Sequence, residues 1–599
     1  MALSRDRGRT VIAISAGHAG PRVHLDLLGV NHRWYRLGEG SWDAGTSAPV
    51  PTVVNRARKG GVTSLRYPGG TVATLFDWKQ AVGNDRGCQF NGRNEGNGFS
   101  TAAHARAFGP AEFMRLSKAT GAKALIMVPF IRQSPRDAAD WVEYMNSPVG
   151  KNPNGGKDWA KVRAAAGHRK PYDIRRWEVG NESHVAPRRY EMSGEPRRSV
   201  RQYAFGGVRH IRNEALGKEC SHKLAGVPSN GEPDQVFSGV YRPFRVADFS
   251  LKVESNAWSR VRNLSESGPN ARVYAVKPKR GEVVFGDGRH GAIPRRGATV
   301  RATYSSKYQG FFAFARQMKA VDRDIEVCSS YGTPAFDRAV GGRQYDCLTV
   351  HPNTNFRKSG QDRWRNALEG HDRMMLGIAH RRQEIARLQR STPRHTGLWL
   401  TEFNAIQGDG DAFPSWSSSM SHAVYMASMW SVLLKRGVPW AMGGDLMTSG
   451  EGALLGPAPH YTFGAQARVR QALVPMLRAG GHVVGTNIRR NPTRRPSLAK
   501  AGSYGALNVV TTRHGDQLWA LVVNQLPGEA VRTQVRINGF DSRRKAQVRR
   551  VTSKRFTNWN HPGQPASVRL HTSTKRVGRS GLDMTFPAHS VTVLRFQRR

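Results

Sequence analysis

The chain has 599 residues, 38% of them hydrophobic, with 14 Trp, which is too long for one ordinary core and too apolar for a disordered protein. Its formal net charge of +48 at pH 7 attracts polyanions. Lys and Arg nevertheless run through the whole length and no RRM, KH or zinc-finger signature occurs, so no specific nucleic-acid partner is expected. No run of about 18 apolar residues offers a membrane span. Arg5, Arg7 and Arg9 precede Val11 to Ala16, an apolar run shorter than the roughly 7 to 15 residues of a secretory core, so a cleaved leader is not expected and a cytoplasmic location is slightly favoured over a secreted one. Cys88, Cys220, Cys328 and Cys347 have neither metal-ligand spacing nor the density of a disulfide scaffold. Cys328 and Cys347 lie in apolar strand-like runs and read as small, free core residues.

Along the chain, Leu25 to Asn31 alternates like a strand and Val62 to Arg66 repeats the pattern, with Thr52 to Lys59 a short helix between them. Pro110 to Thr120 is helical and Lys123 to Phe130 is a strand, apolar enough to be covered on both faces. Ser134 is placed to cap a helix with Pro135 at its first position, and Ala138, Trp141, Val142 and Met145 then recur at helical spacing. Ile174 to Val179 is the fourth strand, and Pro187 to Ala215 has a helical composition. The rhythm resumes with a helix from Phe311 to Ala320 and strands at Ile325 to Ser329 and Cys347 to His351. A long helix from Gln361 to Leu388 precedes the strand Leu398 to Phe403; a helix from Ser419 to Arg436 and an eighth strand from Val438 to Met447 follow. Eight strand-then-helix units predict an α/β protein with a (β/α)8 TIM barrel.

Two segments break that rhythm. Residues 236–305 hold short strand-like runs separated by Gly and Pro turns, and read as an inserted β module. The runs Ala506 to Val510, Leu518 to Val523 and Ser590 to Leu594 predict a C-terminal antiparallel β-sandwich, which the strand near Val11 joins. The expected division is 1–24 with the sandwich, 25–235 and 306–480 for the two barrel halves, 236–305 for the insert and 481–599 for the sandwich.

The chemistry centres on Trp177-Glu178-Val179-Gly180-Asn181-Glu182, where a strand stops at Gly180 and delivers Asn181 and Glu182 to its C-terminal end, the end on which parallel barrels carry catalytic groups. Leu398-Trp399-Leu400-Thr401-Glu402-Phe403-Asn404 has the same build. Two Glu facing each other across a pocket are what retaining glycoside hydrolysis requires: a carboxylic acid that protonates the leaving oxygen and a carboxylate that attacks the anomeric carbon. Glu182 fits the acid/base and Glu402 the nucleophile, with their mutual repulsion expected to raise the acid's pKa. Arg66 is placed to keep Glu402 ionised, and His351 to orient sugar or carboxylate. Glu178, inside its strand, reads as structural. Trp440 reads equally as a sugar platform or as core, and the Gly286-Asp287-Gly288 turn has too few carboxylates for calcium.

These stretches carry a resemblance. LRYPGG with DWKQAVG, the helix DAADWVEYMNSP, KPYDIRRWEVGNES, CLTVHP and LWLTEFN lie in the order found in clan A retaining glycoside hydrolases, and the chain resembles the family 51 α-L-arabinofuranosidases in particular. The resemblance implies a double-displacement mechanism on arabinose-containing oligo- or polysaccharides, no cofactor, no metal, and acid/base chemistry on the Glu that follows Asn181. Substrate contacts are expected from Arg66, Asn181, His351 and Asn31. Homo-oligomers are common in that family, although nothing in this sequence specifies an interface. Three positions depart from the family's sugar-binding pattern: Asn31-His32 stands where a Glu follows the first strand, Thr71 where an Asn follows the Pro-Gly-Gly turn, and Pro352-Asn353 near the sixth-strand His where a Tyr is usual. The pocket for the cleaved sugar is therefore expected to differ. A xyloside or uronide hydrolase of the same clan, and a non-catalytic glycan-binding or adhesion protein, are the competing readings.

Overall fold

The computed structural model describes residues 9–84, 86–87, 107–185, 192–217, 226–355, 367–393, 395–406, 416–447, 452–497 and 502–599. Eight parallel strands form a closed barrel: Gly29–Asn31, Ser64–Tyr67, Lys123–Val128, Arg176–Val179, Glu326–Ser329, Cys347–Val350, Gly397–Phe403 and Ala441–Asp445, the eighth pairing with the first. Short strands are enough here because each is paired on both sides and packed on both faces. Helices between them start where the local chemistry dictates. Ser134 caps Pro135–Asn146 by accepting from the Asp137 amide, and the Asp137 carboxylate accepts from the Ser134 amide in return, a reciprocal cap that satisfies two otherwise orphaned donors. The expected helix starts at Pro187 and Gln361, and Cys88 and Cys220, lie outside the described residues. No described helix is long and apolar enough to cross a membrane.

The barrel interior is filled toward its N-terminal end by Leu125, Cys328, Cys347, Trp399, Trp440 and Met442. Trp399 and Trp440 stack with ring centroids 5.4 Å apart, and the Arg176 guanidinium lies 3.7 Å from the Trp440 ring centre. Cys328 and Cys347 are directly paired on adjacent parallel strands, and they form a disulfide, which corrects the expectation of two free thiols. Sequence spacing carried no sign of this, because it is strand order in the barrel that brings the two residues together.

The insert is wider than 236–305. Its seven-stranded sheet starts at the strand Gly206–Ala215 and ends with Val300–Gln309, which pair antiparallel along their length. Among the described residues of the stretch up to Ala215, the helix is therefore confined to Pro196–Phe205. Gly206, at φ 94°, stops the helix, and a Cβ there would lie 2.5 Å from the Tyr308 carbonyl oxygen, so the backbone crosses at this point only as glycine. Phe237, Phe244, Phe249, Tyr274, Phe285 and Tyr304 give the insert its own core. Asp287 accepts from the Arg289 and His290 amides, so its carboxylate closes a tight turn.

The C-terminal β-sandwich is built from a nine-stranded sheet that includes Thr10–Arg22, which contains the apolar run at Val11. This strand pairs antiparallel with His482–Arg489 and parallel with Val531–Asn538. The sandwich is fastened to the barrel helix Ala367–Ser391 by Asp372, which accepts from Arg494 at 2.7 and 2.9 Å and from the Tyr504 hydroxyl at 2.6 Å.

The disulfide closes a 19-residue separation, so replacing both cysteines by alanine is expected to lower stability by about 3 kcal/mol. Urea unfolding of the double variant beside the parent measures this, and an unchanged midpoint would count against a formed disulfide.

Candidate active site

Four barrel strands meet on one guanidinium. Arg66, fully buried at the end of the second strand, donates from Nε to Glu178 Oε2 at 2.6 Å, from Nη1 to Asn31 Oδ1 at 3.0 Å and to Glu402 Oε1 at 2.9 Å, and from Nη2 to Asn181 Oδ1 at 2.7 Å. Burial works against its charge, but Glu178 and then Glu402 outweigh this and hold it protonated above its ordinary range. Glu178 also accepts from the Thr349 and Thr401 hydroxyls. It is fully buried beneath the site, in keeping with a structural role.

Backbone geometry around this cation is specialised. The Pro68-Gly69-Gly70 turn leaves Gly69 at φ 128°, and a Cβ on Gly70 would come within 2.9 Å of Glu402 Oε1 and 3.4 Å of Asn181 Oδ1. The chain thus passes close enough to the carboxylate that a side chain would displace it. Gly180 and Glu182, on either side of Asn181, lie at φ 81° and 50°. Glu182 is not glycine, and holding it in the left-handed region costs about 1–3 kcal/mol, a strain that turns its side chain back over the barrel mouth.

There the two predicted carboxylates meet. One carboxylate oxygen each of Glu182 and Glu402 and a ring nitrogen of His351 all lie within 4.8 Å of one another. His351 Nδ1 is 3.0 Å from Glu182 Oε1 and 3.5 Å from Glu402 Oε2, and Nε2 is 2.9 Å from the Thr401 hydroxyl. Both Glu side chains are 23% exposed while His351 is 4% exposed, so the carboxylates reach solvent and the imidazole backs them. Burial disfavours charge on His351, but Glu402 and Glu182 outweigh it and raise its pKa above the usual histidine value. The reciprocal effect corrects one expectation. Burial pushes Glu182 upward, yet the hydrogen bond and charge of His351 overcome this and pull it down to about 2. Mutual repulsion is not what governs Glu182, because a cation stands between the two acids. In this geometry the two carboxylates favour a protonated imidazole, whose Nδ1 faces Glu182. The same three side chains are the ones whose donor atoms converge as a metal site would require, but a ligating imidazole must be neutral, and its two carboxylate neighbours favour the protonated form.

The other predicted residues divide clearly. Asn181 is 2% exposed and its Nδ2 donates to the Thr71 hydroxyl at 3.3 Å. Asn31 is 5% exposed, and its Nδ2 donates to Thr401 O at 3.3 Å; it supports Arg66 from behind. His32 is packed against Phe108 and Phe113 and donates to or accepts from the Ser41 hydroxyl at 2.8 Å, with burial pushing it down to about 3. Trp440 is not a sugar platform: it is 1% exposed in the barrel floor. Its stacking partner Trp399 precedes Glu402 by three strand residues, about 10 Å at the usual rise. Sequence reasoning missed His184, which burial and then His351 hold down to about 4. Its place two residues beyond Glu182 in the same turn was the available signal.

Glu178→Ala is expected to destabilise the fold by about 3–5 kcal/mol, since Arg66 is buried and loses its innermost counter-charge. Denaturant unfolding checks this; a loss below about 1 kcal/mol would show that the guanidinium does not depend on Glu178.

With the geometry established, comparison with known proteins is informative. Residues 59–197 match the family model described as "Alpha-L-arabinofuranosidase 1 domain". The chain is 28% identical over 148 residues to an intracellular exo-alpha-(1->5)-L-arabinofuranosidase of Bifidobacterium longum, covering 23% of this chain and 24% of that protein. It is 32% identical over 120 residues to a probable alpha-L-arabinofuranosidase C of Aspergillus fumigatus, covering 20% and 21%. The matched segment thus spans about a quarter of the length of these relatives. The fold extends much further. The GH51 arabinofuranosidase of Xanthomonas axonopodis pv. citri superposes with a TM-score of 0.65 at 15% identity, covering 98% of this chain and all of that one. The alpha-L-arabinofuranosidase of Thermotoga maritima gives 0.64 at 14% identity over 98% and 100%. The chain therefore resembles the family 51 arabinofuranosidases of glycoside hydrolase clan A, in fold over nearly its whole length and in sequence over residues 59–197.

Proposed function

We propose that the protein is a retaining, exo-acting glycoside hydrolase, an α-L-arabinofuranosidase acting on arabinose-containing glycans. One observation carries the reading: Glu182 and Glu402, from the fourth and seventh strands, present carboxylate oxygens within 4.8 Å of each other at the barrel mouth. This suits the roughly 5 to 5.5 Å separation of carboxyl groups in retaining enzymes better than the roughly 6.5 to 9.5 Å of inverting ones. The arabinofuranoside specificity is supported by the match over residues 59–197.

In the first displacement, a Glu402 oxygen attacks the anomeric carbon while the bond to the leaving oxygen breaks, and Glu182 delivers a proton to that oxygen. Arg66 and His351 both favour the anionic form of Glu402 before attack. The proton reaches Glu182 from His351 along their 3.0 Å hydrogen bond. Once Glu402 is esterified its charge is gone, so it no longer supports the imidazolium. In the second displacement Glu182 takes a proton from water, which attacks the same carbon and releases Glu402. His351 is thus a positioning and proton-holding residue, acting through Glu182.

A panel of nitrophenyl glycosides tests the specificity: α-L-arabinofuranoside is expected to be turned over fastest, and turnover of a xyloside or uronide with none of the arabinofuranoside would overturn it. Glu402→Gln is expected to reduce kcat by about 10⁴-fold or more, since no other group replaces the attacking carboxylate. Glu182→Gln is expected to cost about 10²–10⁴-fold on natural linkages, and much less on nitrophenyl substrates, whose leaving group needs no proton. If both variants retained full activity, the hydrolase assignment to this site would fail.

The pH profile has a defined sign. His351 titrates above its ordinary 6.5, so the proton destined for Glu182 is held to a higher pH than on a free imidazole and is lost as pH rises further. The alkaline limb of kcat/KM is therefore expected above pH 6.5. In His351→Asn, Glu182 loses the cation that holds it down and becomes the proton store itself, so the limb should move to lower pH, toward a carboxyl value. An unmoved limb would sink the proton-holding role.

A further inference from the structure

The large positive charge is not used by the carboxylate pair, and one place in the fold concentrates it. A cleft of about 780 Å³ opens between the barrel and the insert. On the barrel side it is walled by the segments after the second and third strands, from Asp77 to Gln80 and from Phe130 to Asp137. On the insert side it is walled by Arg209, Arg242 to Pro243, Lys279 to Glu282 and Lys307 to Gln309. Both barrel segments leave the C-terminal ends of their strands, the same end that carries Arg66 and Glu402. Phe130 connects the two places directly, since its Cβ lies 3.2 Å from where a Cβ on Gly180, the residue before Asn181, would sit.

The cleft is braced across its seam. Arg242 Nη2 pairs with Asp77 Oδ2 at 3.0 Å and its Nε donates to the Arg132 carbonyl at 3.2 Å, while Arg132 Nη1 donates to the Gly239 carbonyl at 3.1 Å. These contacts fix the insert to the barrel loops and hold the walls apart at a set width.

Its charge is one-sided. Eight Lys and Arg line the cleft against three carboxylates. Those three are engaged: Asp137 with Lys79, Asp77 with Arg242 and Glu282 with Arg280. Arg136, Lys279 and Lys307 are exposed along this lining. Cations on low-dielectric walls focus a positive field into the space between them. The volume falls in the roughly 300–1,000 Å³ range of sites for small ligands, enough for a few sugar units.

We propose that this cleft is a binding site for acidic oligosaccharide, taking the carboxylate or phosphate groups of a polyanionic glycan and holding the chain beside the Glu182–Glu402 pair. Single-stranded nucleic acid fits less well, because its binding needs aromatic faces on which bases stack. Here the Tyr308 ring is covered by the Arg209 guanidinium at 3.8 Å, and Phe130 is packed among Tyr203, Tyr308 and Phe314. Only the positioning beside the carboxylates rests on the glycosidase reading; binding itself needs no turnover, so the two fail separately.

The test is calorimetric titration of the full-length protein with tetragalacturonate, a phosphorylated maltotetraose, neutral arabinotetraose and an oligothymidylate of matching charge, at low and high salt. Binding of either acidic sugar above the neutral one, weakened by salt, supports the site, and whichever acidic sugar binds more tightly identifies the charged group preferred. Lys279→Glu combined with Lys307→Glu is expected to weaken acidic-sugar binding by about tenfold or more, while Lys279→Arg combined with Lys307→Arg retains it. Both lysines are exposed, and thermal unfolding confirms that each variant is folded. Equal affinity for the neutral sugar, indifference to the charge reversal, or tighter binding of the oligothymidylate would each overturn the proposal.

Discussion

A buried guanidinium is costly to hold, and the barrel mouth is organised around that cost. Arg66 joins Asn31, Glu178, Asn181 and Glu402, residues from the first, fourth and seventh strands, so its charge is satisfied only when those strands are closed and in register. The inner partner, Glu178, is fully buried, whereas Glu402 is a second, solvent-reaching carboxylate on the same guanidinium. A barrel built this way ties its closure and its chemistry to the same cation.

The second constraint is where the mobile proton is kept. A pair of nearby acids alone shares one proton between them by repulsion. Here His351 stands within 3.0 Å of one acid and 3.5 Å of the other, which turns the pair into a three-member set whose net charge is set by the imidazole. Thr401 fixes the far side of that ring, and it lies one residue before Glu402, so the seventh strand positions Glu402 and the imidazole together.

Much of this was legible in the sequence and some was not, for physical reasons. The strands around Glu182 and Glu402, the helix capped by Ser134 and the barrel architecture follow from local periodicity and turn chemistry, which neighbouring residues fully encode. The convergence of Arg66, His351 and both acids was legible only as strand-end placement. The strand Gly206–Ala215 read as helix because its composition is polar and its alternation shows only once the partner strand Val300–Gln309 lies beside it. Whether Trp440 packs in the floor or faces a ligand depends on barrel depth, which a residue preceding its strand does not announce. The disulfide and the inversion of Glu182's expected acidity both arise from residues distant in sequence, Cys328 with Cys347 and Glu182 with His351, and local pattern carries no information about such pairs.

The insert also has a temporal consequence. Because the module interrupts the barrel between its fourth and fifth strands, Arg66 and Glu402 are separated by 336 positions. At ribosomal speeds of about 5–20 residues per second, Glu402 emerges roughly 20 s to a minute after Arg66. Throughout that interval the nascent half-barrel carries a guanidinium without one of its final partners and two unpaired sheet edges. The insert, with its own aromatic core, can complete its fold in the meantime. The order of synthesis thus makes the accessory unit older than the Arg66–Glu402 contact in the life of every molecule.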